Sequence, residues 1–323
     1  MKHRIAAALM ILIVIFSCSC QNPAKPENGK MKIVVTVFPL YDWTMNVLGG
    51  KSEDAEVIML MDSGVDLHSF KPTAKDIINI AEADLFIYVG GESDAWVEDA
   101  LKQVRNEKQV SLNLLTVLGD RAKEEEAVEG MEAEGEEDEG AEEGPEYDEH
   151  IWLSLKNARV LTEKIRDALI KLDSENGDQY RKNATAYQEK LASLDSRYED
   201  AVRNASVRTL LFGDRFPFRY LTDDYGLSYY AAFLGCSAET EASFETVSFL
   251  SKKVDELSLK CIMTIEGSDH RLAETIKKTT VKKNQKILTL DSMQSITKAD
   301  SSGGVNYLSI MEKNLSVLKE ALQ

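Results

Sequence analysis

The sequence predicts an α/β protein of two lobes with parallel sheets, joined by a long rigid connecting helix. Two observations carry this. Apolar runs of strand length recur in two sets of four, most of them separated by helix-like stretches of about ten residues, which is the pattern of parallel strands with crossover helices. Between the sets lies a stretch, 155–204, with no Pro and a single Gly at 177. At 323 residues, 43% of them hydrophobic, the chain holds enough apolar material for two ordinary domains. A small disulfide scaffold is excluded.

The chain begins with a targeting segment over 1–20. Lys2, His3 and Arg4 give a positive end, about a dozen apolar residues follow from Ile5 to Phe16, and small Ser and Cys residues come next. This apolar run is too short for a typical membrane-spanning helix. A polar tether with Pro and Gly occupies 21–30. Such a leader ending at Cys resembles that of a bacterial lipoprotein, with Cys20, or alternatively Cys18, as the lipidated residue. Export follows, with the mature chain held to the extracytoplasmic face of the membrane by its lipid.

The first lobe is expected over 31–173. Its strands are MKIVVTVF (31–38), AEVIMLM (55–61), ADLFIYVG (83–90) and QVSLNLLTV (109–117). Within 174–206, Tyr187, Leu191, Leu194 and Tyr198 recur at three- and four-residue steps, the signature of one buried helix face. A helix over 178–204 has 27 residues, long enough at about 1.5 Å per residue to cross from one lobe to the other. A connector that stiff predicts small rigid-body motion rather than wide opening. The second lobe, 207–323, carries strands VRTLLFG (207–213), LSYYAAFLG (227–235), LKCIMTI (259–265) and KILTLD (286–291).

The net charge of -17 is local. Residues 124–149 hold 15 acids and no Lys or Arg, and without them 40 acids face 38 bases. The acidity belongs to one insert, expected as a disordered loop over 122–149 that gathers cations weakly and reversibly. No basic patch exists to displace counterions from phosphates, so nucleic-acid binding is excluded. In an exported chain Cys236 and Cys261 could be bridged or remain two buried thiols. Neither stands in a pattern that suggests a metal thiolate.

Outside the leader the histidines are His68, His150 and His270. His68 falls in a loop after a predicted strand, and ligands of open parallel sheets bind outside the carboxyl ends of strands. His150 stands where the acidic insert meets a helix. Together they suggest a cation site. His270 reads as an ordinary helix-start residue with Ser268 as N-cap. Glu266, at a strand's end, could support ligands from behind, Arg215 could neutralise a carboxylate, and Phe216, Phe218, Tyr220, Tyr229 and Tyr230 read as core and cleft wall.

The segments VTVFPLYDWTMNVLGG, GVDLHSFKPTAKDIINIAEADLFIYVGG and DEHIWLSLKNARVLTEKI resemble the cluster A-I metal-binding lipoproteins that serve bacterial zinc and manganese ABC transporters. The resemblance runs from about Met31 to the C-terminus. It implies a metal site in the cleft between the lobes, with His68 and His150 as ligands and Asp291, in ILTLDSM, as a third. A further family ligand, His or Glu, should fall in LLFGDRFPFRYLTDDYGL, which contains neither. Asp214 is the nearest oxygen donor there, with Glu239 and Glu241 in reserve. Two imidazoles and two carboxylates fit tetrahedral zinc, and manganese is the alternative.

The resemblance therefore implies a monomeric lipoprotein that catalyses nothing, captures zinc, and delivers it to the permease and ATPase of an ABC importer. A zinc hydrolase would need an open coordination position, and no HExxH helix is present. A surface adhesin is compatible with a lipoprotein, but adhesion alone leaves His68, His150 and Asp291 unexplained.

Overall fold

The computed structural model describes residues 29–132, 146–237 and 241–323. The leader with Cys18 and Cys20 lies outside the described residues, as does Glu239. All eight predicted strands are present: β1 Met31–Val35, β2 Ala55–Met59, β3 Leu85–Tyr88, β4 Val110–Asn113, β5 Thr209–Phe216, β6 Ser228–Leu234, β7 Cys261–Ile265 and β8 Lys286–Leu290. They form two sheets of four, in the orders β2-β1-β3-β4 and β6-β5-β7-β8, with every pairing parallel. The central strands are apolar on both faces, as parallel strands covered by helices must be.

The helices of the first lobe are α1 Phe38–Leu48, α2 Ala74–Glu82, α3 Trp96–Leu101, α4 Leu114–Leu118 and α5 Leu155–Leu172, followed by α6 Gly177–Arg203. The second lobe has α7 Arg219–Tyr225, α8 Phe244–Glu256, α9 Arg271–Thr279, α10 Lys298–Ser302 and α11 Tyr307–Ala321. Local chemistry sets several starts. Pro39 opens α1, Thr73 and Asp76 form a reciprocal capping box at α2, and Ser154 caps α5 by accepting from Asn157 N.

Helix α6 is the 27-residue connector. Its buried face, Tyr180, Ala184, Tyr187, Leu191, Leu194, Tyr198 and Val202, packs on α1 and α5 of the first lobe and on α11 of the second. One continuous apolar core runs from β1 and α1 through α5 and α6 to β5, β8 and α11. The lobes therefore share a hydrophobic interior. Smaller clusters fill the outer faces, under α8 and α9 in the second lobe and under α2 and α3 in the first.

The carboxyl ends of both sheets face one cleft of about 900 Å³, lined by Asp66 and Ser69 after β2, Arg215 in β5, Ser237 after β6, Glu266 after β7 and Gln294 after β8.

Two expectations change, and one left open is settled. The acidic insert is not loose from end to end: Glu124 bridges Tyr147, Glu125 N donates to Glu146 O at 2.9 Å, and Asp148 N donates to Lys123 O at 2.8 Å. Ion pairs from Glu126 to Arg219 and from Glu129 to Lys253 fasten the near side to the second lobe, so the insert's neck is held by backbone pairing and by bases outside it. Helix α9 starts two residues later than expected, with His270 itself at the N-cap in a left-handed conformation (φ 61°) and Ser268 Oγ accepting from His270 N. Cys236 and Cys261 are free thiols.

Candidate metal centre

His68 lies in a single 3₁₀ turn, Leu67–Ser69, which Asp66 caps by accepting from His68 N at 3.0 Å. His150 precedes a second such turn, Ile151–Leu153, and is fully buried. The two imidazoles meet with their Nε2 atoms 3.3 Å apart.

Each ring is oriented from behind. Asp148 Oδ1 accepts from His150 N at 2.8 Å and stands 3.1 Å from its Nδ1. His68 Nδ1 lies 2.7 Å from Ser93 Oγ and 3.5 Å from Glu149 Oε2, while Glu149 Oε1 accepts from Ser93 N at 2.7 Å. With these partners on the Nδ1 side, the two Nε2 atoms are turned toward each other, the arrangement that carboxylate-backed histidines adopt around metals.

Electrostatics agree. Burial, and then the neighbouring His150, push the His68 pKa down to about 3, with Asp66 opposing and Arg215 adding to the fall. Burial also disfavours charge on His150, but Asp148, Glu149 and Asp66 together outweigh it, and its pKa rises. Burial lifts Glu149 to about 7 against its hydrogen bonds to Ser93. Two zinc–nitrogen bonds of about 2.0–2.1 Å meeting at a tetrahedral angle span roughly 3.3 to 3.4 Å, so the observed separation suits an ion bound to both rings.

A third donor joins them. One ligand atom each from His68, His150 and Cys236 lie within 4.8 Å of one another, and among the described residues this is the group that could hold a metal. Cys236, set aside as a ligand in the sequence, follows β6 at its carboxyl end, the same kind of position that singled out His68. Asp66 and Asp148 stand two residues before the two histidines in the segments that carry the family resemblance, whereas Ser93 and Glu149 were not singled out, because their roles depend on contacts to the His68 ring.

Asp214 and Asp291 stand outside this group. Asp214 accepts from Arg215 N at 3.0 Å and from Ile265 N at 3.3 Å, so its carboxylate is spent on the backbone of β5 and β7. Asp214 sits at a register shift in β5 between Phe212 and Arg215, where an irregular ladder re-aims side chains. Both Asp214 and Arg215 line the cleft, and Arg215 is paired there with Asp66. Asp291 accepts from Met293 N at 2.8 Å. Glu266 binds Ser292 N, Ser292 Oγ and Gln294 N and so clamps the turn after β8. Glu241 lines the cleft. Gln294 also lines it, with a buried Oε1 that has no partner among the described residues.

Two lobes with a shared core, each with a parallel sheet, and two imidazoles brought nitrogen to nitrogen give the architecture of a two-lobed substrate-binding protein. The family model of ZnuA, described as zinc-uptake complex component A periplasmic, matches residues 33–321, and the chain belongs to that family. It is 34% identical over 323 residues to the zinc-binding lipoprotein AdcA of Streptococcus pneumoniae, covering 98% of this chain and 60% of that protein. It is 29% identical over 320 residues to the high-affinity zinc uptake system protein ZnuA of Bacillus subtilis, covering 98% and 96%. The chain thus spans about 60% of the length of the streptococcal relatives it matches. The crystal structure of the Zn(II)-bound ZnuA-like domain of S. pneumoniae AdcA superposes with a TM-score of 0.71 at 31% identity, covering 91% of this chain and 99% of that one.

Proposed function

We propose that this protein captures zinc outside the cytoplasm and delivers it to the permease and ATPase of an ABC importer. The observation that carries the reading is the pair of Nε2 atoms 3.3 Å apart, each ring held by a partner behind it. His68 and His150 are the anchoring ligands. Asp214 and Asp291, the other two expected ligands, lie outside the group of donor atoms drawn together at the two rings. Membership of a zinc-uptake family and the zinc named in its relatives support zinc as cargo. The lipid anchor expected at Cys20 or Cys18 would hold the carrier near its membrane partner. Among the described residues no helix is long and apolar enough to cross a membrane.

The shared core and the connector α6 favour a carrier that closes by small adjustments. A surface reshaped by the bound ion is then what the permease reads.

The test is metal content by mass spectrometry of the purified protein, then competitive titration with zinc and manganese. About one zinc per chain is expected, with binding weakened at least about 100-fold in His68→Ala and His150→Ala while both variants stay folded. No stoichiometric metal, or unchanged affinity in both variants, would overturn the reading.

A further inference from the structure

We infer that Cys236 is the third protein ligand, a thiolate that completes a His68–His150–Cys236 cradle and makes it a site for a thiophilic divalent ion. This rests on the capture function proposed above and deepens it, since thiolate donors favour zinc over manganese.

Geometry carries the assignment. The Cys236 sulfur and one nitrogen of each imidazole lie within 4.8 Å of one another. Zinc–sulfur bonds of about 2.3 Å and zinc–nitrogen bonds of about 2.0–2.1 Å can be met by small side-chain shifts from that spacing.

The chain is shaped to bring the sulfur there. A Cβ at Gly235 would stand 2.9 Å from Phe216 O and 3.1 Å from His150 Cε1, so only glycine lets the end of β6 press against the ring. Cys236, next in sequence, is delivered beside it. The thiol is free of any disulfide and donates a hydrogen bond to the Glu125 carboxylate. Glu125 comes from the neck of the acidic insert, so the insert positions the sulfur. Neither Asp214 nor Asp291 belongs to that group of close donor atoms, and Cys236 is the donor at hand. A fourth position faces Asp66, whose Oδ1 lies 3.9 Å from His68 Nε2.

The binding step is a simple exchange. The ion forms a bond to sulfur, the S–H bond breaks, and its proton passes to solvent. Nothing is oxidised or reduced.

The test uses the purified full chain loaded with cobalt(II). A sulfur-to-cobalt charge-transfer band is expected in the wild type and should vanish in Cys236→Ser while cobalt still binds. Zinc affinity should fall at least about tenfold in that variant, and Cys236→Asp should shift the zinc-to-manganese affinity ratio toward manganese. Zinc should also shield Cys236, identified by peptide mass mapping, from alkylation. Stoichiometric cobalt without the band, or unchanged zinc affinity in Cys236→Ser, would overturn the thiolate and leave the capture reading standing. A wild type that binds neither ion would overturn both.

Discussion

Trp152 Nε1 donates to the carbonyl of Ser292 at 2.8 Å, which joins the chain two residues past His150 to the turn after β8 in the other lobe. Tyr307 Oη donates back to Trp152 O at 2.6 Å, and its ring lies edge-on to Trp43 at 5.3 Å. All of this is buried. The histidine pair therefore sits on an interlobe joint whose hydrogen bonds have no access to water. Trp152→Phe would keep most of the apolar contact and strand the Ser292 carbonyl. A loss of about 1–3 kcal/mol in unfolding free energy is expected, the cost of an unsatisfied buried acceptor. Denaturant titration of the metal-free protein checks it, and an unchanged midpoint would show that the joint is slack.

Asp148 is the second point of leverage. It fixes His150 through both the backbone amide and Nδ1, and its own carbonyl accepts from Tyr220 Oη at 2.9 Å. Asp148→Ala should weaken zinc binding by about 10–100-fold without removing a ligand. Asp148→Asn, which keeps an acceptor but loses the charge, should fall between. Competition with a chelator of known affinity measures both. Equal affinity in Asp148→Ala and wild type would mean that His150 needs no support from behind.

Sequence patterning located the strands, the connector and the two histidines well, because each has a local cause. Apolar runs of strand length, three- and four-residue spacing along α6, and a loop at a strand's carboxyl end are all visible one segment at a time. What was hidden depends on register and long-range contact. How Asp214 and Arg215 are aimed depends on an irregularity in β5, which no periodicity in TLLFGDRF announces. Cys236 becomes a candidate only when β6 lies beside His150, and a glycine at 235 hints at close approach without saying to what. The neck of the insert was missed for a similar reason. Its acids look disordering by composition, but Arg219 and Lys253, distant in sequence, hold them.

The part of the insert beyond its neck offers a separate prediction. Residues 133–145 contain seven acids and no Lys or Arg, while Glu125 and the neck pairing lie outside them. Deleting 133–145 should leave equilibrium zinc affinity unchanged. It should slow association a few-fold at low salt, because a concentration of negative charge raises the encounter rate of cations. The difference should fade at about 0.15 M salt, where the screening length is about 8 Å. Stopped-flow binding at two ionic strengths decides it, and a fall in equilibrium affinity would place a ligand inside the deleted stretch.

Asp42 gives a stability prediction independent of metal. Its carboxylate is 8% exposed in α1, where Tyr187 Oη of α6 donates to it at 3.1 Å and Asn46 Nδ2 at 3.0 Å. Burial pushes its pKa from the ordinary 3.8 up to about 6, against the lowering effect of Tyr187 and a Tyr307 hydrogen bond. The folded state therefore holds the proton more tightly than the unfolded chain. Stability from this group is fully present below pH 3.8 and is lost as pH rises through about 6, for a change of up to about 3 kcal/mol. Asp42→Asn keeps an acceptor for Tyr187 and cannot ionise, so the variant should gain on the wild type as pH rises from 4 to 7. Unfolding free energies of the metal-free pair across that range test the sign, since other titrating groups are common to both proteins and cancel in the difference. A constant difference would mean that Asp42 is ionised throughout, and that the α1–α6 contact tolerates its charge.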